Sequence, residues 1–590
     1  MRSAPLLVSF ALSATLFMML PPEPVKGYEA AAIPASERTF DTKGKESDRP
    51  AHAAQKGPGH DDPVKCFTPH VIRHQADPAS TDPEVLAKMQ EVQNLLIPGE
   101  QEFLSESGRF RLLYVTEGTH AVPTEGSNGS GVPDYVEWAA EYADYAFRKQ
   151  VEELGFVDPS VHQGVECGSR IGEWQDTTLS IRFRSFGFYG LFFPSSPFEI
   201  QVHNNFRGFP PNTDPDGHVH GALRATIAHE LKHVIQYATN CFQGDAGNQS
   251  WLEMDATMME NIVFPQVNDY YNYITSNSSV FRAPHHGIPS ESVADSYGHV
   301  TWSLFYAEYL TMDYWAGTWD AIADDHFIPM ADAMKKTLRK PSDAASDRAF
   351  SSKLARNHLW HATAGSRQIP GYGFSEADAY PDAYMAEQVY PIPERYNDWL
   401  ELPPLSGTYR MLRPGPGQIG EIDLHFTHNH HQAAVGIVGY QRDGGAMEWI
   451  VPAAEGNETQ SVSPFTTADL DSFIVVIVNA DRSEPLDYSI ELSVRSVPEI
   501  ATLEHNYPNP FSTSRGAPHT RIVFSVPEDS RVSITMYDVL GRRVRVILDE
   551  EMKAGRHEVP VDAGGLPSGV YLYRFRTEDV QQTGKMTLIR

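Results

Sequence analysis

The run His229-Glu230-Leu231-Lys232-His233, followed by Glu253, constrains this chain more than any other feature. Side chains four apart share a helix face, so the imidazoles of His229 and His233 can reach one metal ion while Glu230 reaches a water beside it. Leu223 to Tyr237 contains neither Gly nor Pro, and Ile227, Leu231, Val234 and Ile235 form an apolar stripe beside the ligand face. Cys241 and Gly244 fall where such a helix should end. A second helix is expected over Trp251 to Val263, with Asn248 and Ser250 as cap candidates and Glu253 in its first turn. Packed against the first helix, it brings in Glu253 as a third ligand. Two histidines, one glutamate and an open fourth position are the arrangement of a catalytic zinc site, so Zn2+ is the expected cofactor. Thr257 and Glu260 share the face of Glu253 and are placed to hydrogen-bond a ligand imidazole from behind.

A chain of 590 residues is too long for one ordinary core and predicts several domains. Met1-Arg2 and the apolar run Ala4 to Leu20, broken by Pro21-Pro22, read as a secretory signal peptide over residues 1–27. No later stretch has the length of apolar sequence that spans a membrane. With 77 acidic against 47 basic residues and a formal charge of -30, nucleic acid is not an expected partner. Cys66, Cys167 and Cys241 allow one disulfide and one free thiol, which sequence alone cannot pair.

Residues 28–104 read as a spacer or propeptide, polar and poor in aliphatic residues from 37 to 65, with a short helix from Pro83 to Leu96. Residues 105–400 are expected to form the metal-binding region. Its elements are a strand at Arg109 to Thr116, a helix at Asp134 to Leu154 with Val136, Ala140, Ala143 and Phe147 inward, and strands at Leu179 to Arg184 and Phe198 to Asn204. The TEGSNGSG stretch before Asp134 reads as a turn. The loop Arg207 to His220, with Asp214, Asp216, His218 and His220, reads as a solvated polar loop in preference to a second ion site. Tyr297 to Met312 reads as one helix. After Leu402 the pattern changes to short strands, with Glu421 to Phe426, Ala433 to Val438 and Phe473 to Val478 in residues 401–498. Residues 499–590 hold four more, at Thr520 to Ser525, Arg531 to Tyr537, Val544 to Leu548 and Val570 to Arg576. The fold class is therefore α+β, followed by two all-β sandwich regions, with protease-sensitive junctions near residues 400 and 500.

AHELKHVIQYA followed by WLEMDATMMEN resembles the gluzincin metallopeptidases, and most closely a secreted bacterial group related to the immune inhibitor A peptidases. Gln236, Trp251-Leu252-Glu253, Gly131 to Tyr135 and Tyr297-Gly298 fit that pattern; Met254 stands where the group usually has glycine. The resemblance implies a two-lobed fold, a protein or peptide substrate, and a cleft edged by a strand that holds extended substrate; Phe198 to Asn204 is the expected edge strand. NYPNPF (Asn506 to Phe511), ITMYDVLGRRV (Ile534 to Val544), AGRHEV, GLPSGVYLYR and GKMTLIR are similar to the C-terminal sorting domains of the type IX secretion pathway, with Ig-like folds. That likeness implies the type IX machinery as a partner, and release or surface attachment after outer-membrane export.

The chemistry expected of such a site is hydrolysis by a metal-activated water, with Glu230 as general base and Tyr297 as donor to the oxyanion. The rival reading is a surface adhesin built on a peptidase-like region. A zinc hydrolase acting on a non-peptide amide also fits the motif, which specifies the nucleophile and not the substrate. Residues 27–104 are expected to cover the cleft. Within them Cys66 is either a thiolate that blocks zinc or, more easily, one half of a disulfide to Cys167 or Cys241.

Overall fold

The computed structural model describes residues 64–589 apart from 94–96, 128, 162–177, 195–197, 289–292, 341, 394, 416–417, 419, 455–459, 463–465, 468–469, 497–499, 513–519 and 554. The expected signal peptide, most of the spacer and Cys167 lie outside the described residues. The architecture is mixed α+β, with distinct helical and multi-stranded regions.

The chain opens with β1 (Val64–Cys66), α1 (Thr68–Ala76) and α2 (Pro83–Gln93), then β2 (Gln101–Leu104) and β3 (Phe110–Tyr114). α3 (Asp134–Phe147) buries Val136, Ala140, Ala143 and Phe147 as its periodicity predicts, and continues as a π turn to Glu153. The turn before α3 is closed by Ser127 N–H donating to Asp134 Oδ1 at 2.9 Å. β4 (Leu179–Arg184), β5 (Phe188–Phe193) and β6 (Glu199–His203) complete one six-stranded sheet in the order β1-β5-β6-β4-β3-β2. This order corrects the expected edge strand. Phe198 to Asn204 lies inside the sheet, as β6, between β5 and β4. β5 runs antiparallel to β6, and β1 lies against it in parallel, with Val64 opposite Phe188 and Cys66 opposite Gly190.

α4 (His218–Asn240) carries the metal motif, and every residue from Ala225 to Gln236 is buried. Cys241 ends it in the left-handed conformation with φ 58°. α5 (Gln249–Val263) starts at Asn248, whose side chain accepts from Ser250 N–H. The expected single helix at Tyr297 is two: α6 (Val293–Gly298), with Tyr297 in its last turn, and α7 (Val300–Leu310). α8 (Met312–Asp324), α9 (Met330–Thr337) and α10 (Asp343–Ala362) follow.

Next come β7 (Glu387–Val389), β8 (Tyr396–Leu402), β9 (Ser406–Leu412), β10 (Gly420–His428), β11 (Ala433–Gln441), β12 (Ala446–Pro452), β13 (Gln460–Val462), β14 (Leu470–Asn479) and β15 (Leu486–Ser496). They form a four-stranded sheet, β13-β10-β15-β8, and a five-stranded sheet, β12-β11-β14-β9-β7, with one core between them. β14 explains its own sequence. Phe473, Val475 and Ile477 face that core, while Ile474, Val476 and Val478 join the core that contains Leu354, Ala355 and Leu359 of α10. A strand buried on both faces reads as a continuous apolar run, FIVVIV, instead of an alternation.

The last strands run from β16 (Thr502–Leu503) and β17 (Phe511–Ser512) through β18 (Arg521–Val526), β19 (Ser530–Asp538), β20 (Arg543–Met552), β21 (Gly555–Pro560) and β22 (Gly569–Arg576) to β23 (Gln581–Ile589). They form two sheets around a third core.

Because α10 is packed on β11 and β14, the junction near residue 400 is tied by a shared core. Limited proteolysis is expected to cut near residue 500 first and to leave residues 401–498 attached to the helical region. Ile474→Ala, which opens a cavity facing α10 at a cost of about 2–5 kcal/mol, is expected to expose the junction near 400; fragment masses from a timed digest check both.

Candidate metal centre

Among the described residues, Cys66, His229, His233 and Glu253 form a donor cluster compact enough to hold a metal ion, with ligand atoms all within 4.8 Å of one another. The spacing on α4 and the first turn of α5 brings the three expected ligands together. His229 Nε2 lies 3.1 Å from His233 Nε2 and 3.1 Å from Glu253 Oε2, and Glu253 Oε1 lies 3.1 Å from His233 Nε2.

Hydrogen-bond partners fix which nitrogen of each ring is bare. Glu260 Oε1 holds His229 Nδ1 at 2.7 Å, so that nitrogen carries the proton and Nε2 has the lone pair. Gln236 donates its Nε2 hydrogens to Leu252 O at 3.0 Å and Asp255 Oδ2 at 2.7 Å. Its Oε1 therefore accepts from His233 Nδ1, at 2.8 Å, and again Nε2 is bare. Two imidazole lone pairs and a carboxylate thus converge in a buried space with no hydrogen to share. Glu253 is wholly buried, and its Oε1 has no hydrogen-bond partner. Such a convergence is repulsive unless a cation sits within it, and two nitrogens with one carboxylate oxygen are a zinc donor set. The residues fit Zn2+.

Without a metal ion the same convergence draws a proton in its place. Burial works against a charged His229, but Glu253 and Glu260 outweigh it and lift the imidazole to about 10, so the protein alone invites a positive charge here. Burial likewise pushes the Glu253 carboxyl up, yet His233 and His229 more than reverse this and hold it well below the usual carboxylate range. Burial pushes the Glu230 carboxyl up, opposed by His229 and His233.

Glu230 sits beside the cluster, where Thr68 Oγ1 donates to its Oε2 at 3.2 Å. Gly190 of β5 backs it. A Cβ at Gly190 would stand 3.0 Å from Glu230 Cγ and 2.7 Å from Thr226 Cγ2, so the close approach of strand to helix needs glycine. Tyr297 is buried, with its ring centroid 6.4 Å from that of His229. Its hydroxyl accepts from Cys66 N–H at 3.2 Å.

Sequence reasoning missed Lys65, Thr68 and Asp269 as parts of this site, and named Gln236 without its bond to His233. Lys65 Nζ is 2.9 Å from Glu260 Oε2 and also bonds Asp269, so a buried cation anchors the carboxylate behind His229. The preference for a disulfide through Cys66 is corrected. Cys66 is a buried free thiol with Sγ 3.5 Å from His233 Nε2, whereas Cys241 is disulfide-bonded. Of Thr257 and Glu260, it is Glu260 that holds a ligand imidazole, and Thr257 Oγ1 makes no hydrogen bond. The acidic loop is accounted for by ion pairs, Arg224 to Asp214 at 2.6 Å and to Asp216 at 2.7 Å. His218 Nε2 bonds Phe206 O at 3.0 Å, and His220 Nδ1 bonds the Tyr142 hydroxyl at 2.7 Å. Asp255, after the unusual Met254, accepts from Trp315 Nε1 at 2.8 Å and so ties α5 to α8.

Residues 505–589 match the secretion system C-terminal sorting domain. No curated relative matches the sequence. Among solved structures the chain is similar to PorZ, a surface component of the type-IX secretion system of Porphyromonas gingivalis, at 13% identity and TM-score 0.13 over 19% of this chain and 15% of that one. It is also similar to a beta-1,2-glucanase from Parabacteroides distasonis, at 12% identity and TM-score 0.14 over 32% of each chain. These likenesses are too slight to bear on fold or activity, and the chain spans less than a third of either protein. No helix among the described residues is long and apolar enough to cross a membrane. The sorting domain associates the chain with type IX export and is consistent with secretion or surface attachment. The His-Glu-x-x-His and Glu253 cluster is consistent with a zinc-dependent hydrolase of gluzincin type.

Gln236→Ala is expected to weaken zinc binding about 10–100-fold by releasing the His233 ring; chelator competition on the folded protein measures it. Gly190→Ala should keep zinc while displacing Glu230, so hydrolysis falls without metal loss.

Proposed function

We propose that the chain is an exported, zinc-dependent endopeptidase. The observation that carries this reading is the buried convergence of His229 Nε2, His233 Nε2 and Glu253 with Glu230 at its side. His229, His233 and Glu253 are the proposed ligands. The finer architecture that goes with it is a two-lobed gluzincin domain over residues 105–400, with its cleft between the six-stranded sheet and the helices from α5 onward. Two Ig-like β-sandwiches follow, over 401–498 and 499–590.

Zinc, when bound, polarises the scissile carbonyl and acidifies the attacking water. The chain's own residues do the rest. With β1 displaced, β5 would become an edge and offer its backbone to an extended protein or peptide substrate. Glu230 takes the proton of the attacking water and passes it to the leaving amine nitrogen, its burial favouring a carboxyl that can hold that proton in between. Tyr297 donates its hydroxyl hydrogen to the developing oxyanion; burial, with Glu253 and Cys66 nearby, raises its pKa well above the usual phenol, so the hydroxyl stays protonated. The sorting domain would hand the folded protein to the type IX machinery, which releases or anchors it outside the cell.

Glu230→Gln in the secreted, processed protein is expected to lower hydrolysis of a defined peptide library about 10²–10⁴-fold, with one zinc per chain retained. A processed wild-type protein that holds zinc and cleaves no peptide or protein would overturn the reading. Tyr297→Phe should lower kcat with little change in KM, since the proposed bond forms only in the transition state.

A further inference from the structure

A zinc peptidase must let substrate reach its metal, yet here His229, His233, Glu230 and Glu253 are all buried. What covers them is the chain's own N-terminal segment. β1 extends the sheet beyond β5, and Phe67 N–H continues the pairing by donating to Gly190 O at 3.1 Å. The side chains then meet the site one after another. Lys65 bonds the carboxylates of Glu260 and Asp269. Cys66 Sγ joins the ligand cluster, and its backbone N–H is held by Tyr297. Thr68 Oγ1 donates to Glu230 and accepts from Phe192 N–H at 2.8 Å.

We propose that residues 64–93 are a built-in latency segment in which Cys66 Sγ is the fourth zinc ligand. This rests on the peptidase reading above. Sγ already behaves as an acceptor, taking Thr68 N–H at 3.4 Å, and thiolate is a strong zinc ligand. On coordination the Cys66 thiol gives its proton to solvent; on release the thiolate regains a proton and leaves the position to water. No electron changes hands.

The packing makes the segment separable. Phe67, Val71 and Met89 meet Phe188 and Leu191 in a small cluster of their own, and Cys66 forms another with Tyr273 and Tyr297. The buried members of the main core begin at Phe110. Removing residues 64–93 therefore withdraws a plug whose ties to the rest include Ile72 against that core and Lys65 on Glu260 and Asp269, and leaves the buried members of the core in place.

The test uses the full chain loaded with cobalt in place of zinc. A sulfur-to-cobalt charge-transfer band is expected in the wild type and absent from Cys66→Ser at the same cobalt stoichiometry. Trace proteolysis that removes the segment is expected to abolish the band and, in the zinc form, to raise peptide hydrolysis about tenfold or more as the blocked population is released. One cobalt per chain without the band overturns the proposal and leaves the peptidase reading standing. Full hydrolysis by the intact chain with the band present overturns the latency while keeping the ligand. Failure to bind metal, or no hydrolysis once the band is gone, strikes the peptidase reading itself.

Discussion

Two bare imidazole nitrogens and a carboxylate, forced together in a dry interior, are the constraint around which the metal-binding region is organised. Each ligand is aimed by a partner that is itself held. Glu260 is fixed by Lys65, Gln236 by Leu252 O and Asp255, and Asp255 by Trp315. The network reaches from β1 through α4 and α5 to α8. A change in Glu260, Gln236, Asp255 or Trp315 is thus felt at the metal, although none is a ligand. Its cost is also the reason α4 is buried on every side: the lone pairs must be shielded from water for the cation to act on one water or one carbonyl at full strength.

What could be read from the sequence was whatever local spacing determines. His229, His233 and Glu260 follow from helical geometry, and Asn248 announces the helix that carries Glu253. What could not be read depends on contacts distant in sequence. Alternation marks Phe198 to Asn204 as a strand but does not say whether it lies at the edge or inside; that is decided by β5, whose run FYGLFF lacks alternation because it is buried on both faces. Cys66 sits in three residues of strand at the end of a polar stretch, and nothing local shows that Gly190 will stand opposite it. Only the family pattern points to Tyr297, and the helix break after it leaves no mark in the sequence because Gly298 and His299 interrupt no periodicity.

The β regions are legible for the opposite reason. Their strands carry turn signals and apolar runs, and the observed strands at 420–428, 433–441 and 470–479 extend the expected ones by only a few residues at each end. The sequence was silent about what the first of these regions packs on. In β14, Val475 and Val476 are equally apolar, and only α10 tells their roles apart. A sheet face closed by a helix from the preceding region makes the two one packed unit.

The direction of β1 explains how a peptidase could hold its own chain at its metal without cutting it. Hydrolysis needs a backbone carbonyl beside both the metal and the general base. β1 runs parallel to β5 and sends the side chain of Cys66 into the ligand cluster, while Tyr297 keeps the Cys66 backbone N–H. The base is engaged as well, because Thr68 Oγ1 donates to Glu230 Oε2. Water is excluded by Sγ, the base is capped by Thr68, and Tyr297 is engaged by Cys66. Cys66 thus blocks two of the three catalytic requirements and Thr68 the third, within three positions of the chain. A segment that blocked only the metal would leave base and donor ready for any competing ligand; one that blocks all three must leave as a whole, which makes activation a single cooperative step.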